Sequence, residues 1–185
     1  MSTRSIRWKV PSMRKKMTNG RRYIPNTTSQ GAVIVSQRLK RLDQAEPFAV
    51  LATDDGGSPY TSLVAFAVTP DMRHVVFATP KATRKYRNIK ARKDVSLLVD
   101  NRAASRDLMK AEAITIVGLA APLRRGRQWQ EMATVLLEKH PQLQEFIFSI
   151  STALVSIDVT EYVHVSRFQT VSTWKPAHGT KGGRR

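Results

Sequence analysis

Residues 59–102, PYTSLVAFAVTPDMRHVVFATPKATRKYRNIKARKDVSLLVDNR, read as strand, hairpin, strand, basic helix, strand. The first strand is Tyr60 to Thr69, the turn is Pro70-Asp71-Met72, and the second strand is His74 to Thr79. Both strands are β-branched or aromatic runs bounded by turn residues. A helix begins at Lys81-Ala82-Thr83-Arg84-Lys85, and a further apolar strand follows at Val95 to Val99. A hydroxyl and two cations thus arrive together where a strand gives way to a helix. Free backbone N–H groups and the helix dipole favour an anion there, so the expectation is a phosphate seat.

Working outward, the preceding segment from Ala32 to about Ala45 carries Ala32, Val35, Leu39 and Leu42 at helical spacing, which predicts a short amphipathic helix. Phe48 to Ala52 then forms a strand, and Thr53-Asp54-Asp55-Gly56-Gly57-Ser58-Pro59 reads as a hairpin connection. Neither the spacing of these glycines nor a following helix matches a P-loop or dinucleotide fingerprint. On the other side, Ala113 to Leu123 is a strand in which Gly118 marks a bulge or bend. Trp129, Met132, Ala133, Leu136 and Leu137 fall on one face of a helix ending near His140, and Pro141 opens a further short one. Ala153 to Val165 alternates, with Val155, Ile157, Val159, Val163 and Val165 on the apolar side and Ser156, Asp158, Thr160, Tyr162 and His164 opposite. Glu161 is the exception on the apolar side. Phe168 to Trp174 adds a last strand. Six or seven strands joined mostly by hairpins, with helices confined to three places, predict a mostly β chain with peripheral helices: an antiparallel barrel.

The chain has 185 residues, 41% of them apolar, enough for one core of ordinary size. Its formal net charge of +17 is unevenly spread, because all 14 acidic residues lie between Asp43 and Glu161. Residues 1–30 carry eight Lys or Arg and no acid, and residues 171–185 add four more. A basic N-terminal arm (1–30), a barrel domain (31–174) and a basic C-terminal tail (175–185) are therefore expected. The ends could meet nucleic acid through charge, or act as solubilising tails. The chain has no cysteine, hence no disulfide framework and no thiolate metal site, and no apolar run reaches the ~18 residues of a membrane span. The expected location is cytoplasmic.

Few residues offer chemistry. His74, His140, His164 and His178 form no pair at i,i+2 or i,i+4, so a metal site is not expected. A G-x-S-x-G elbow and usefully spaced carboxylate pairs are both absent from the sequence. The segment from Lys81 to Lys93 stands out, with seven cations and no acid until Asp94. Tyr86 and Ile89 can face the core, which leaves Arg84, Lys85, Arg87 and Asn88 toward ligand or water.

The order of strand, hairpin, F-A-T-P, K-A-T-R-K, amphipathic helix and V-S-L-L-V-D resembles the FMN-binding split barrels of the pyridoxamine 5'-phosphate oxidase-like superfamily. In that family a strand ending in an aromatic and threonine is followed by S-R-K and then by an N-P-x-V-S-L-L strand. Here Ala78-Thr79, Thr83-Arg84-Lys85 and Lys93-Asp94-Val95-Ser96-Leu97-Leu98 stand at those three places, and the resemblance covers about residues 32–174. It implies a six- to seven-stranded split barrel of the FMN-binding type, a homodimer with two FMN sites at its interface. Arg84 and Lys85 would hold the FMN phosphate with Thr83. The strand Ser62, Leu63, Val64, Ala65 to Ala67 would line the isoalloxazine, Thr79 would contact the flavin or its ribityl chain, and Trp174 would cover the flavin from the other subunit.

The departures are specific. True pyridoxamine phosphate oxidases begin the flavin strand with arginine and end it with lysine, where this chain has Ser62 and Ala67, and the chain has no R-L-x-P-like C-terminal segment. Vitamin B6 oxidation is accordingly not the expected activity. The expectation is a flavin-dependent oxidoreductase acting on a small organic substrate. The alternatives are a non-enzymatic flavin, deazaflavin or haem binder serving as sensor, store or carrier, or a nucleic-acid-associated protein acting through its basic ends. Haem would need an axial ligand, for which His164 and His178 are the candidates.

Overall fold

The structure, a computed structural model, describes residues 29–102, 107–166 and 170–177. The basic arm up to residue 28 and the tail from residue 178, His178 included, lie outside the described residues.

Helix α1 (Ser29–Ala45) leads into β1 (Phe48–Asp55), β2 (Ser58–Val68), β3 (His74–Pro80), α2 (Arg84–Ala91) and β4 (Asp94–Asp100). After β5 (Glu112–Pro122) come α3 (Arg127–Lys139), α4 (Gln144–Phe148), β6 (Thr152–Ser166) and β7 (Thr170–Trp174). The strands form one antiparallel sheet in the order β3-β2-β1-β4-β5-β6-β7, and an added β3–β6 pairing closes six of them into a barrel with β7 as an extra strand. This is the mostly β architecture with peripheral helices that the strand pattern predicts.

Inward-facing side chains fill the barrel: Leu51, Phe66, Val75, Phe77, Leu97, Ile114, Ile116 and Ile157 are wholly buried. Each contributes on the order of 1.5–3 kcal/mol by leaving water. Val35, Leu39 and Leu42 of α1 join the same cluster from one end, and Ile89 of α2 joins it as well. A second cluster lies outside the barrel wall, where Trp129, Met132, Ala133 and Leu136 of α3 cover Ala67, Val76 and Leu154. Lys139, at the end of α3, ties the two layers together. Its Nζ lies 2.8 Å from Asp43 Oδ1 on α1 and 3.7 Å from the Phe66 ring centroid. Burial pushes the Lys139 ammonium down, against the pull of Asp43 and Glu46.

Local chemistry sets the corners. Gly56 and Gly57 have φ of 68° and 96°, so the β1–β2 turn takes the two positive dihedrals that glycine tolerates, and the Gly57 N–H bonds Asp54 Oδ1 at 2.5 Å. The stretch is thus a hairpin and not a phosphate-cradling glycine loop.

The expected alternation of β6 fails in its second half. Val117 pairs with Glu161 and Gly118 with Val159, so Thr160 is an extra residue in β6. The bulge reverses the faces beyond it: Tyr162 and His164 are buried, whereas Val163 and Val165 are half-exposed. Glu161, the one misfit in the sequence pattern, stands at this reversal. The Tyr162 hydroxyl then reaches the Met72 carbonyl at 2.8 Å, and burial pushes the phenol well above its ordinary range.

Candidate functional site

The barrel has a seam. β2 pairs with β1 from Ser58 to Ala65, but with β3 only through Phe66↔Phe77, Ala67↔Val76 and Val68↔Val75. β3 is paired with β6 along its whole length, from His74↔Asp158 to Pro80↔Thr152, so beyond Phe77 it keeps β6 and no longer has β2 on its other side. The second edge of β2 between Ser62 and Ala65 therefore has no ladder partner among the described residues, and its backbone donors and acceptors can meet a ligand. Ser62 Oγ, on the barrel side of this strand, is buried without a hydrogen-bond partner among the described residues.

The chain leaving β3 meets the start of α2 at this end of the barrel. Thr79 Oγ1 and Thr83 Oγ1 are 3.0 Å apart, and the Thr83 hydroxyl donates to the Pro80 carbonyl at 2.9 Å. The helix begins one residue after Thr83, later than the sequence suggested. Thr83 occupies the N-cap position with extended backbone, yet its side chain does not cap, so the first-turn N–H groups of α2 are left for another acceptor.

The two cations that follow differ in environment. Arg84 is exposed, pairs with Asp55 at the end of β1, and lies with its Cζ 4.8 Å from the Tyr60 ring centroid. One of its five donors is thereby engaged and the others remain. Lys85 is half-buried and has no acidic partner among the described residues, and burial pushes its ammonium below the ordinary lysine range. An anion at this point would stabilise a cation that the protein itself leaves unneutralised.

Asn88, which helical spacing placed toward ligand or water, is in fact buried. In the amide orientation that satisfies both its ends, Oδ1 accepts from Thr53 Oγ1 at 3.1 Å, while Nδ2 donates to Asp55 Oδ1 at 3.0 Å. Asp55 thus holds Arg84 with one oxygen and Asn88 with the other. Asp55 and Tyr60 were missed as site residues because Asp55 reads as a turn residue and its partners Arg84 and Asn88 stand 29 and 33 positions away.

The residues expected along the flavin strand separate onto two faces. Val64 points into the barrel core, as does Ser62 in register with buried Leu51. Leu63 (61% exposed) and half-buried Ala65 point outward, and Ala67 lies beneath α3. Thr79, Thr83, Arg84 and Lys85 are brought together. Within its own chain the Trp174 ring stacks on Tyr162 at 5.3 Å and packs against the barrel core.

His140 and His164 are engaged structurally. His140 Nε2 lies 3.0 Å from the Phe66 carbonyl oxygen, and His164 Nε2 lies 3.2 Å from Glu112 Oε2. Among the described residues no group of three or more His, Asp or Glu could hold a metal, and no helix is long and apolar enough to cross a membrane.

The outer face of the sheet carries an apolar row. Leu63 is in register with Val50, and Val50 with Leu98, all on the outward side, with Phe48 (53% exposed) beside them.

Comparison with known proteins agrees with this architecture. The chain resembles a haem-binding protein from Mycobacterium smegmatis (16% identity, TM-score 0.64), covering 73% of this chain and 56% of that one. It also resembles the haem storage protein HutZ from Vibrio cholerae (17% identity, TM-score 0.59, covering 68% and 89%). A protein from Clostridium acetobutylicum related to general stress protein 26, of the pyridoxine phosphate oxidase family, is similar over 77% of this chain and 94% of its own (12% identity, TM-score 0.60). At these identities the likeness is one of fold, and the chain spans only just over half of the Mycobacterium protein. No curated protein sequence matches. The family model described as pyridoxamine 5'-phosphate oxidase matches residues 35–166, and the chain belongs to that family.

Proposed function

We propose that the protein binds FMN in the seam between β2 and β3, as a homodimer, and uses it in the oxidation or reduction of a small organic substrate. The observation that carries this reading is the seam with an unneutralised cation at its end. The free edge of β2 at Ser62 to Ala65 opens beside Thr79, Thr83, Arg84 and Lys85. Lys85 and the remaining donors of Arg84 would hold the phosphate together with the uncapped first turn of α2. Thr83 and Thr79, joined through their hydroxyls, would fix the ribityl end. Backbone groups of β2 would meet the ring edge, with Leu63 and Ala65 against its face.

When bound, FMN supplies the redox chemistry, and this chain supplies binding, orientation and exclusion of water. Ser62 and Ala67 stand where pyridoxamine phosphate oxidases carry cations. A phosphorylated second substrate therefore lacks charge-assisted contacts of ~1.5–3 kcal/mol each, which directs the reading to another small organic molecule.

The homodimer is supported by the outward row of Leu63, Val50 and Leu98. Deazaflavin and haem are the competing occupants. Of the two candidate axial ligands for haem, His164 is buried against Glu112, and His178 lies outside the described residues. The test is the absorption spectrum of the purified protein with and without added FMN. Flavin bands that shift on binding and bleach with NAD(P)H support the reading. A colourless protein that takes up no FMN, or one that takes up haem instead, overturns it.

A further inference from the structure

At the barrel end opposite α2 lies a cavity of about 560 Å³, between the C-terminal half of α1 and the start of β5. Its volume falls in the range of small-molecule sites. Beneath it Glu112, 7% exposed, accepts from Arg41 on Oε1 and from His164 on Oε2. A carboxylate only accepts, so His164 Nε2 carries the proton in this contact.

Each Glu112 oxygen thereby holds a donor of the protein, and Arg41 already offsets the acid's charge. The side-chain groups of Asn101 are spent too: Oδ1 accepts from the Glu112 N–H and Nδ2 donates to the Lys110 carbonyl. Glu46 adds a second acid to the lining, against the three cations Arg38, Arg41 and Lys110, so donors remain in excess. Arg38 Nη1 is 3.7 Å from Glu112 Oε2, too far for a hydrogen bond, so Arg38 is drawn inward by charge while its N–H groups have no hydrogen-bond partner among the described residues. Arg41 has further donors beyond the one on Glu112, and Leu42, Ala45 and Met109 add apolar wall.

We propose that this cavity is a second ligand site, which takes a small organic anion, its acid group on Arg38 and Arg41 and its apolar body against Leu42 and Met109. Glu112 and His164 are positioning residues: they anchor Arg41 from below and touch no ligand. The burial of Glu112 opposes its charge, but the hydrogen bonds from Arg41 and His164 and the charge of Arg38 outweigh it, so the anchor is ionised at neutral pH. The site stands apart from the seam and does not depend on the flavin reading.

His164 provides a local reporter, because its ring resonance in a proton NMR spectrum of the full chain is one of only four from histidine. Benzoate is the probe and benzylamine its cationic control. A saturable shift of the His164 resonance with benzoate is expected. Arg38→Gln, which breaks no hydrogen bond within the protein, should weaken that binding by about tenfold or more. Lys85→Ala should leave it unchanged. The proposal is overturned by the absence of a saturable shift, by equal binding of benzylamine, or by benzoate binding that Arg38→Gln leaves intact and Lys85→Ala removes.

Discussion

The hydroxyls of Thr79 and Thr83 lie 3.0 Å apart and join the end of β3 to the residue before α2. Because Thr83 also bonds the Pro80 carbonyl, the two cations after it start from a fixed point. Replacing Thr83 by valine keeps the volume and removes both contacts. It should cost about 1 kcal/mol of stability in urea denaturation and raise the FMN dissociation constant roughly fivefold. A variant as stable and as tight as the parent would remove Thr83 from the seat.

Gly118 faces the bulge in β6. A Cβ placed on it would fall on the Asp158 carbonyl oxygen and lie 2.7 Å from Ile157 Cγ2, contacts that only a backbone shift can relieve. Gly118→Ala should therefore destabilise by roughly 1–3 kcal/mol as overpacking. The same substitution at Gly126, which has nothing within 4 Å but a φ of 156°, should cost less. Paired thermal denaturation of the two variants makes the comparison.

Much of this architecture is legible in the residues. β-branched runs bounded by Pro70-Asp71 and Gly56-Gly57 mark the hairpins, and the spacing of Val35, Leu39 and Leu42 marks α1. The seam is not, because it depends on where β2 parts from β3 while β3 stays paired with β6, a divergence set by closure of the barrel and not by any local preference. The face reversal in β6 was hidden for a related reason. A bulge inserts one residue, and simple alternation carries Val163 and Val165 to the wrong side unless the misfit at Glu161 is read as the signal. The cluster at the start of α2 was visible because Thr83, Arg84 and Lys85 are adjacent. The Glu112–His164 contact was not, because its partners are 52 positions apart.

Glu112 also sets a dependence on pH. Its carboxyl is held below the ordinary 4.5 in the folded protein, since burial is outweighed by Arg41, His164 and Arg38. A depressed acid stabilises the fold above its unfolded value, and that contribution is lost as pH falls through the folded value. Glu112→Gln should cost about 2 kcal/mol at pH 7, and the gap to wild type should close as the pH drops from about 5 toward 2. Denaturation curves of both proteins across that window test the sign, and a gap that stays constant would contradict it.

Phe48 sits half-exposed beside the outward row of Val50, Leu63 and Leu98. If that face joins two copies, Phe48→Arg places a charge in the interface while leaving the barrel core untouched. Sedimentation velocity should find a dimer for the wild type and a monomer for the variant at micromolar concentration. A variant that remains dimeric would move the interface elsewhere.

The central claim is that Lys85 and the start of α2 recognise a phosphate at the end of the seam. Equilibrium titration of FMN against riboflavin, in wild type and in Lys85→Ala, isolates that group, because the two ligands differ only by the phosphate. Wild type should prefer FMN by about ten- to a hundredfold, and the preference should collapse in Lys85→Ala while riboflavin affinity holds. Equal binding of FMN and riboflavin by the wild type would contradict the account.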